Sequence, residues 1–149
     1  MPTSAVSLLK IADQSMCRAQ FSTASFTEER ITHIFLPVND DRIEDHTTGA
    51  TYPVGGHWSL LVVSLIDNVA FHYDSMRGHN GPDAQLLTQK IQGALPKPRA
   101  LRFVQMDVRD APQQTDGSNC GTFVCVIMKH LLTKRLLRAD ANQKISMSK

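Results

Sequence analysis

Two runs of β-branched, aliphatic and aromatic residues, 58–66 and 69–73, flank the pair Asp67 and Asn68, and no other stretch of the chain constrains its fold as tightly. Residues of this kind suit a pleated surface, and Asp and Asn tolerate the positive φ of a tight turn, so the segment is read as a β-hairpin. His57 stands just before the first run and Asp74 just after the second. A two-residue turn at Asp67 and Asn68 would set Asp74 opposite Leu61, on the same side of the sheet as His57. The remaining offset of four residues is roughly 13 Å along a strand, too far for the carboxylate to meet the imidazole. A bulge, a shifted turn or a departure of Asp74 from the strand has to close that gap.

A second constraint lies in QQTDGSNCGTFV, Gln113 to Val124. Gly117, Ser118 and Asn119 are turn formers, Cys120 follows them, and Val124, Ile127, Met128, Leu131 and Leu132 then recur at helical spacing over Gly121 to Leu137. Cys120 is therefore expected at or beside a helix N-terminus. Unpaired N–H groups and the positive end of the helix dipole favour a thiolate there, which is the attacking form of cysteine. A small buried hydrophobe is the ordinary alternative for a free cysteine, but a frame of Gly, Ser, Asn and Gly does not suit a core position. Cys125 falls within the helix and is expected to be core or inert, and Cys17 has no polar frame.

The rest of the chain reads as one small α+β domain over residues 1–149, with a helical lead in 1–30 and the main body in 31–132. Residues 4–19 carry Leu8, Leu9, Ala12 and Met16 on roughly one helical face. Ile31 to Val38 is read as a strand, 39–56 as a polar loop, and Leu87, Ile91 and Leu95 as one face of a helix stopped by Pro96 and Pro98. Arg99 to Val108 alternates as a further strand and leads to the loop holding Gln114. A mainly antiparallel sheet with the Cys120 helix packed on it accommodates this order.

The 149 residues, 42% hydrophobic, are enough for one core. A formal charge of +2 is too small to point to nucleic acid, and no apolar run reaches the length of a bilayer span. The start of the chain has neither the basic residues nor the apolar centre of a signal peptide. Three cysteines leave one unpaired in any disulfide scheme and form no CxxC pair, which favours a cytoplasmic or nuclear setting and disfavours zinc.

Taken together, His57 followed by Trp58, Asp74 seventeen positions on, Gln114 six before Cys120, and Gly121 after it resemble the ubiquitin-like-protein-specific cysteine proteases, the Ulp or sentrin-protease family. The wording GGHWSLLV and FHYDS is most similar to the deneddylase branch. The resemblance covers roughly Ile31 to Leu132. It implies a papain-like fold with its catalytic elements in the permuted order His, Asp, Gln, Cys, and it implies no cofactor and no metal. It also implies a substrate: a ubiquitin-like modifier, either the neddylation modifier or SUMO, with its conjugates, handled by a monomer.

In that reading Cys120 is the nucleophile, His57 its base, Asp74 the group that orients the imidazole, and Gln114 an oxyanion donor, while Trp58 lines the channel for a Gly-Gly tail. Each has a plainer alternative. Trp58 would by default anchor a core, Asp74 would cap a turn, and Gln113 competes with Gln114 for the amide role. Of the other histidines, His33, His46, His72, His79 and His130 are read as ordinary surface or strand residues. The family's WLND-like stretch, with a second tryptophan that closes over the tail, has no counterpart here. The expectation is thus a chain truncated at its N-terminus and slow or inactive on conjugates, with an inactive binder of a ubiquitin-like protein as the alternative to an enzyme.

Overall fold

A computed structural model of the chain describes residues 1, 3–22, 31–40, 56–97 and 99–136. The helical lead is two helices rather than one, α1 (Thr3–Ile11) and α2 (Gln14–Phe21). Asp13 makes the break. Its backbone is extended, at φ −70 and ψ 173, and its carboxylate accepts a hydrogen bond from the Met16 N–H at 2.9 Å. An aspartate that caps a new helix ends the old one, because the capping geometry is not helical. The break also changes which residues face inward: Leu9 and Ala12 are buried as expected, while Leu8 and Met16 are exposed and Val6, Cys17 and Phe21 take their places.

One four-stranded sheet follows, in the order β1 (His33–Asn39), β2 (Trp58–Ser64), β3 (Val69–Tyr73) and β4 (Arg102–Gln105). The first two pairings are antiparallel and the third is parallel. The sheet is mainly antiparallel, as expected, and its one parallel pairing arises because α3 (Gly81–Ala94) carries the chain back to the start of β3 before β4 begins. Pro82 lies in the first turn of α3, and Leu95 leaves it in extended conformation just before Pro96. The last helix among the described residues, α4 (Cys120–Leu131), runs into a π-helical turn, Leu132–Leu136.

Both faces of β2 are covered, which explains its nearly unbroken apolar sequence. Leu61 and Val63 join Leu36, Val38 and Ala70 against α1, α2 and α3, whereas Leu60 and Val62 join Phe71 and Tyr73 against Val124, Ile127 and Leu131 of α4. Lys10 of α1 fastens the first layer, with its ammonium 3.1 Å from Asp83 of α3 and donating also to the Asn39 carbonyl at the end of β1.

The hairpin register differs from the expected one in a way that matters for the site. Ser64 pairs with Val69 and Leu60 with Tyr73, so the turn has four residues, 65–68, with Asn68 at φ 55. The Ser64 hydroxyl donates to the Asp67 carboxylate at 2.6 Å and accepts from the Asp67 N–H at 3.2 Å, closing the longer turn. Extended by one pair, this register sets Asp74 opposite Ser59, two residues from His57 instead of four. The slip of two keeps every side chain on its face and reduces the gap to about 7 Å between backbones, which two side chains can bridge.

Candidate active site

His57 lies one residue before β2 and Asp74 one residue after β3, so both sit at the open end of the hairpin. Both are buried, and His57 Nε2 is 2.7 Å from Asp74 Oδ1. The carboxylate is acceptor-only and faces donors throughout: Met76 N–H at 2.8 Å on Oδ1 and Asn80 N–H at 2.9 Å on Oδ2. Its bond to the ring therefore assigns the proton of neutral His57 to Nε2 and leaves the lone pair on Nδ1. That Nδ1 is buried and has no hydrogen-bond partner among the described residues.

The backbone of His57 is held as firmly as its ring. Its N–H donates to Asp40 Oδ1 at 3.0 Å, and its carbonyl accepts from Asp40 N–H at 3.3 Å and from Asn80 Nδ2 at 3.1 Å. Asn80 Nδ2 donates also to the Val38 carbonyl at 3.2 Å. One buried residue thus joins the His57 segment, the end of β1 and, through its backbone, Asp74. His79 closes the outer side, with its ring edge-on to His57 at 5.5 Å and its Nε2 3.5 Å from Asp40 Oδ2. Burial pushes the Asp40 carboxyl up, but the N–H groups of His57 and Asp40 and the His79 ring outweigh it and leave the acid below its ordinary range.

His72 was expected to be an ordinary strand or surface residue; it is a strand residue, in β3, and not a surface one. It is fully buried, with Nδ1 2.6 Å from Gln105 Oε1, Nε2 2.8 Å from the Ser59 hydroxyl and Nε2 4.0 Å from Asp74 Oδ2. Strand alternation carried the signal, since His72 is two before Asp74 and Ser59 two after His57. Burial lowers the His72 pKa, so the folded protein resists a proton that the unfolded chain accepts below about pH 6.5. Stability should therefore fall as pH drops through that value and level off once the folded His72 titrates. Urea unfolding of His72→Gln across pH 5–8 should give a flatter curve than the wild type, with His33 and the Met1 amino group, both shifted in the same direction by burial, contributing to the remaining slope.

Cys120 is the first residue of α4 and is 6% exposed. The turn before it winds around Asp116, whose carboxylate accepts from Ser118 N–H at 2.9 Å, Asn119 N–H at 3.0 Å and Asn119 Nδ2 at 2.9 Å. Asn119 occupies the capping position but places no side chain on the helix N–H groups. Cys120 makes no hydrogen bond to His57 among the described residues, so the thiol and the unpartnered Nδ1 are separate in this structure. Cys125, expected in the core or inert, is exposed. It lies about 100° round the helix from Val124, which with Ile127 and Leu131 forms the buried face.

The two neighbouring glutamines have different duties. Gln113 Nε2 donates to the carbonyls of Asp74 at 2.9 Å and Ala111 at 2.7 Å, and its Oε1 accepts from Arg77 N–H at 2.9 Å, so both of its N–H groups are committed to the loop. Gln114 Nε2 donates only to the Asp116 carbonyl, at 2.6 Å, among the described residues, which leaves one N–H available. Trp58 packs with Val124 and Met128. It lines a cavity of about 210 Å³ with Pro37, Gly121, Val124, Cys125 and Met128, beginning one residue from Cys120.

Residues 16–147 match the Ulp1 protease family, C-terminal catalytic domain. The chain belongs to the Ulp1 protease family. Its curated relatives include NEDD8-specific protease 2 of Schizosaccharomyces pombe, 34% identical over 77% of this chain and 25% of that protein. Probable sentrin-specific protease 8 of Dictyostelium discoideum is 31% identical over 74% of this chain and 44% of its own length. Sentrin-specific protease 8 of Homo sapiens is 35% identical over 61% and 39%. This Ulp1-family chain thus spans between a quarter and a half of these relatives. A solved structure of the SUMO protease Ulp1, its catalytic cysteine oxidised to a sulfonic acid, covers 95% of this chain and 60% of the other at TM-score 0.63 and 19% identity, which establishes the shared fold. The papain-like α+β expectation holds.

Proposed function

We propose that the chain is a thiol isopeptidase that cleaves after the terminal glycine of a ubiquitin-like modifier, most readily the neddylation modifier. One observation carries the reading: the Asp74 bond to His57 Nε2 leaves a buried Nδ1 with a lone pair and no hydrogen-bond partner among the described residues. In the reaction, Nδ1 takes the proton of the Cys120 thiol as sulfur attacks the glycine carbonyl. The C–N bond breaks, the imidazolium returns its proton to the departing amine, and the acyl group stays on sulfur. Water, deprotonated by His57, then hydrolyses the thioester and frees both the modifier and Cys120. Closure that brings Cys120 against Nδ1 accompanies substrate binding, as hydrogen bonds at such sites commonly tighten only in the complex.

Negative charge on the carbonyl oxygen meets the free N–H of Gln114 and the backbone N–H of Cys120. Trp58 offers an aromatic wall, and glycines, lacking Cβ, fit beside it. The neddylation modifier is supported by the names of two relatives, NEDD8-specific proteases 1 and 2 of Schizosaccharomyces pombe.

Fluorogenic C-terminal amides of the two modifiers test the proposal. A higher kcat/KM on the neddylation modifier supports it, a preference for SUMO reverses the assignment of substrate, and tight binding without release of dye contradicts the enzyme reading. On the favoured substrate, Gln114→Ala should lower kcat about 100-fold with KM little changed, as expected for a donor to developing charge. Gln113→Ala should lower the melting temperature and change kcat far less, because its amide holds the loop. The reverse ranking of the two glutamines would exclude Gln114 as the oxyanion donor.

A further inference from the structure

Ser75 has no part in the chemistry above, yet it is 3% exposed and its hydroxyl donates to Gln114 Oε1 at 2.6 Å. A side-chain amide has two ends of similar size and opposite character, and only the NH₂ end can stabilise an oxyanion. The partners of Gln114 take opposite ends. The Asp116 carbonyl, with no proton of its own, requires Nε2 at 2.6 Å, which turns Oε1 to the Ser75 hydroxyl, and the hydroxyl donates to it at 2.6 Å. The main chain is clamped as well, since Gln114 N–H donates to the Ser75 carbonyl at 3.0 Å.

We infer that Ser75 is a positioning residue for the oxyanion donor: its hydroxyl locks the Gln114 amide with the carbonyl end turned away, so that the remaining N–H keeps one direction. Ser75 thereby extends the work of its neighbour. Asp74 orients the base through its carboxylate, and its carbonyl holds Gln113. Two consecutive residues leaving β3 thus set both the proton-transfer side and the oxyanion side of the site. The inference rests on the proposed role of Gln114.

A double-mutant cycle on one fluorogenic modifier amide separates this from a merely satisfied buried hydroxyl. Ser75→Ala should lower kcat about 5-fold, the weight of one ordinary hydrogen bond, with KM unchanged. In the Gln114→Ala background, itself about 100-fold slower, Ser75→Ala should have no further effect, because the amide it orients is gone. Ser75→Cys, similar in shape but a poor donor, should match Ser75→Ala in kcat at near wild-type melting temperature, which keeps the test valid if the alanine variant folds badly. Multiplying effects in the double variant, or an unchanged kcat in both Ser75 variants, would overturn the inference while leaving the proposed function intact. A Gln114→Ala enzyme as fast as the wild type would overturn the oxyanion assignment and the inference with it.

Discussion

Cys120→Ala should reduce turnover to background, a loss on the order of 10⁶-fold, the scale on which removal of a hydrolase nucleophile registers. The same variant should bind modifier as tightly as the wild type, because the cavity beside Trp58 is lined without the Cys120 sulfur. Kinetics on a fluorogenic amide and calorimetric titration with the intact modifier measure the two quantities separately. Cys125→Ala is the matched control. Cys125 is a free cysteine on the same helix, more exposed than Cys120, yet it does not share the N-terminal position at which backbone N–H groups converge on Cys120. Cys125 lines the cavity beside Trp58, so its variant is read in kcat rather than in KM: cleavage retained in Cys120→Ala, or kcat reduced to background in Cys125→Ala, would show that the nucleophile has been misassigned.

Asp74→Asn should cost roughly 10³- to 10⁴-fold in kcat, comparable to the loss seen when a triad carboxylate becomes an amide. The surroundings of Asp74 explain why so small a change is so expensive. His57 Nε2–H and Met76 N–H point at one oxygen, and Asn80 N–H points at the other. An asparagine must turn its NH₂ toward one of these donor sets. Facing Asn80, it leaves a buried clash of donors beside the clamp that holds the His57 carbonyl. Facing His57, it forces Nε2 to accept, which transfers the ring proton to Nδ1 and removes the lone pair that would take the thiol proton. Steady-state kinetics and the pH profile of kcat/KM check this. A loss below about 10-fold would mean that the ring is oriented by Asp40 and His79 rather than by Asp74.

Much of this site was legible in the sequence because strand alternation has a period of two. His57 and Asp74 were assigned to one face correctly even though the turn length was wrong, since a slip from a two-residue to a four-residue turn preserves parity. The Ser64 side chain that closes the longer turn acts three residues away along the chain and leaves no pattern in hydrophobicity. The break at Asp13 was missed for a related reason: helical periodicity continues across it, and only the capping bond distinguishes two helices from one. His72, Ser75 and Asn80 were not singled out, because their roles depend on contacts between segments, with Gln105 and Ser59, with Gln114, and with Val38 and His57. The choice of Gln114 over Gln113 rested on the family resemblance, in which the amide stands six residues before the cysteine, and the hydrogen bonds add a physical reason for it. Cys125 had two readings, core or inert, and its exposure removes the first; the buried face of the helix is narrower than the apolar periodicity, since Met128 and Leu132 are only partly buried.

Labelling with a modifier that carries a thiol-reactive C-terminus tests the central assignment most directly, because one adduct reports nucleophile, base and substrate together. The 149-residue chain, treated with such probes of the neddylation modifier and of SUMO and then mapped by peptide mass, should carry one adduct, on Cys120, formed faster with the neddylation probe. The adduct should vanish in Cys120→Ala and form far more slowly in His57→Ala. An adduct on Cys125, or none with either probe, would contradict the assignment of Cys120 and His57 as the reacting pair.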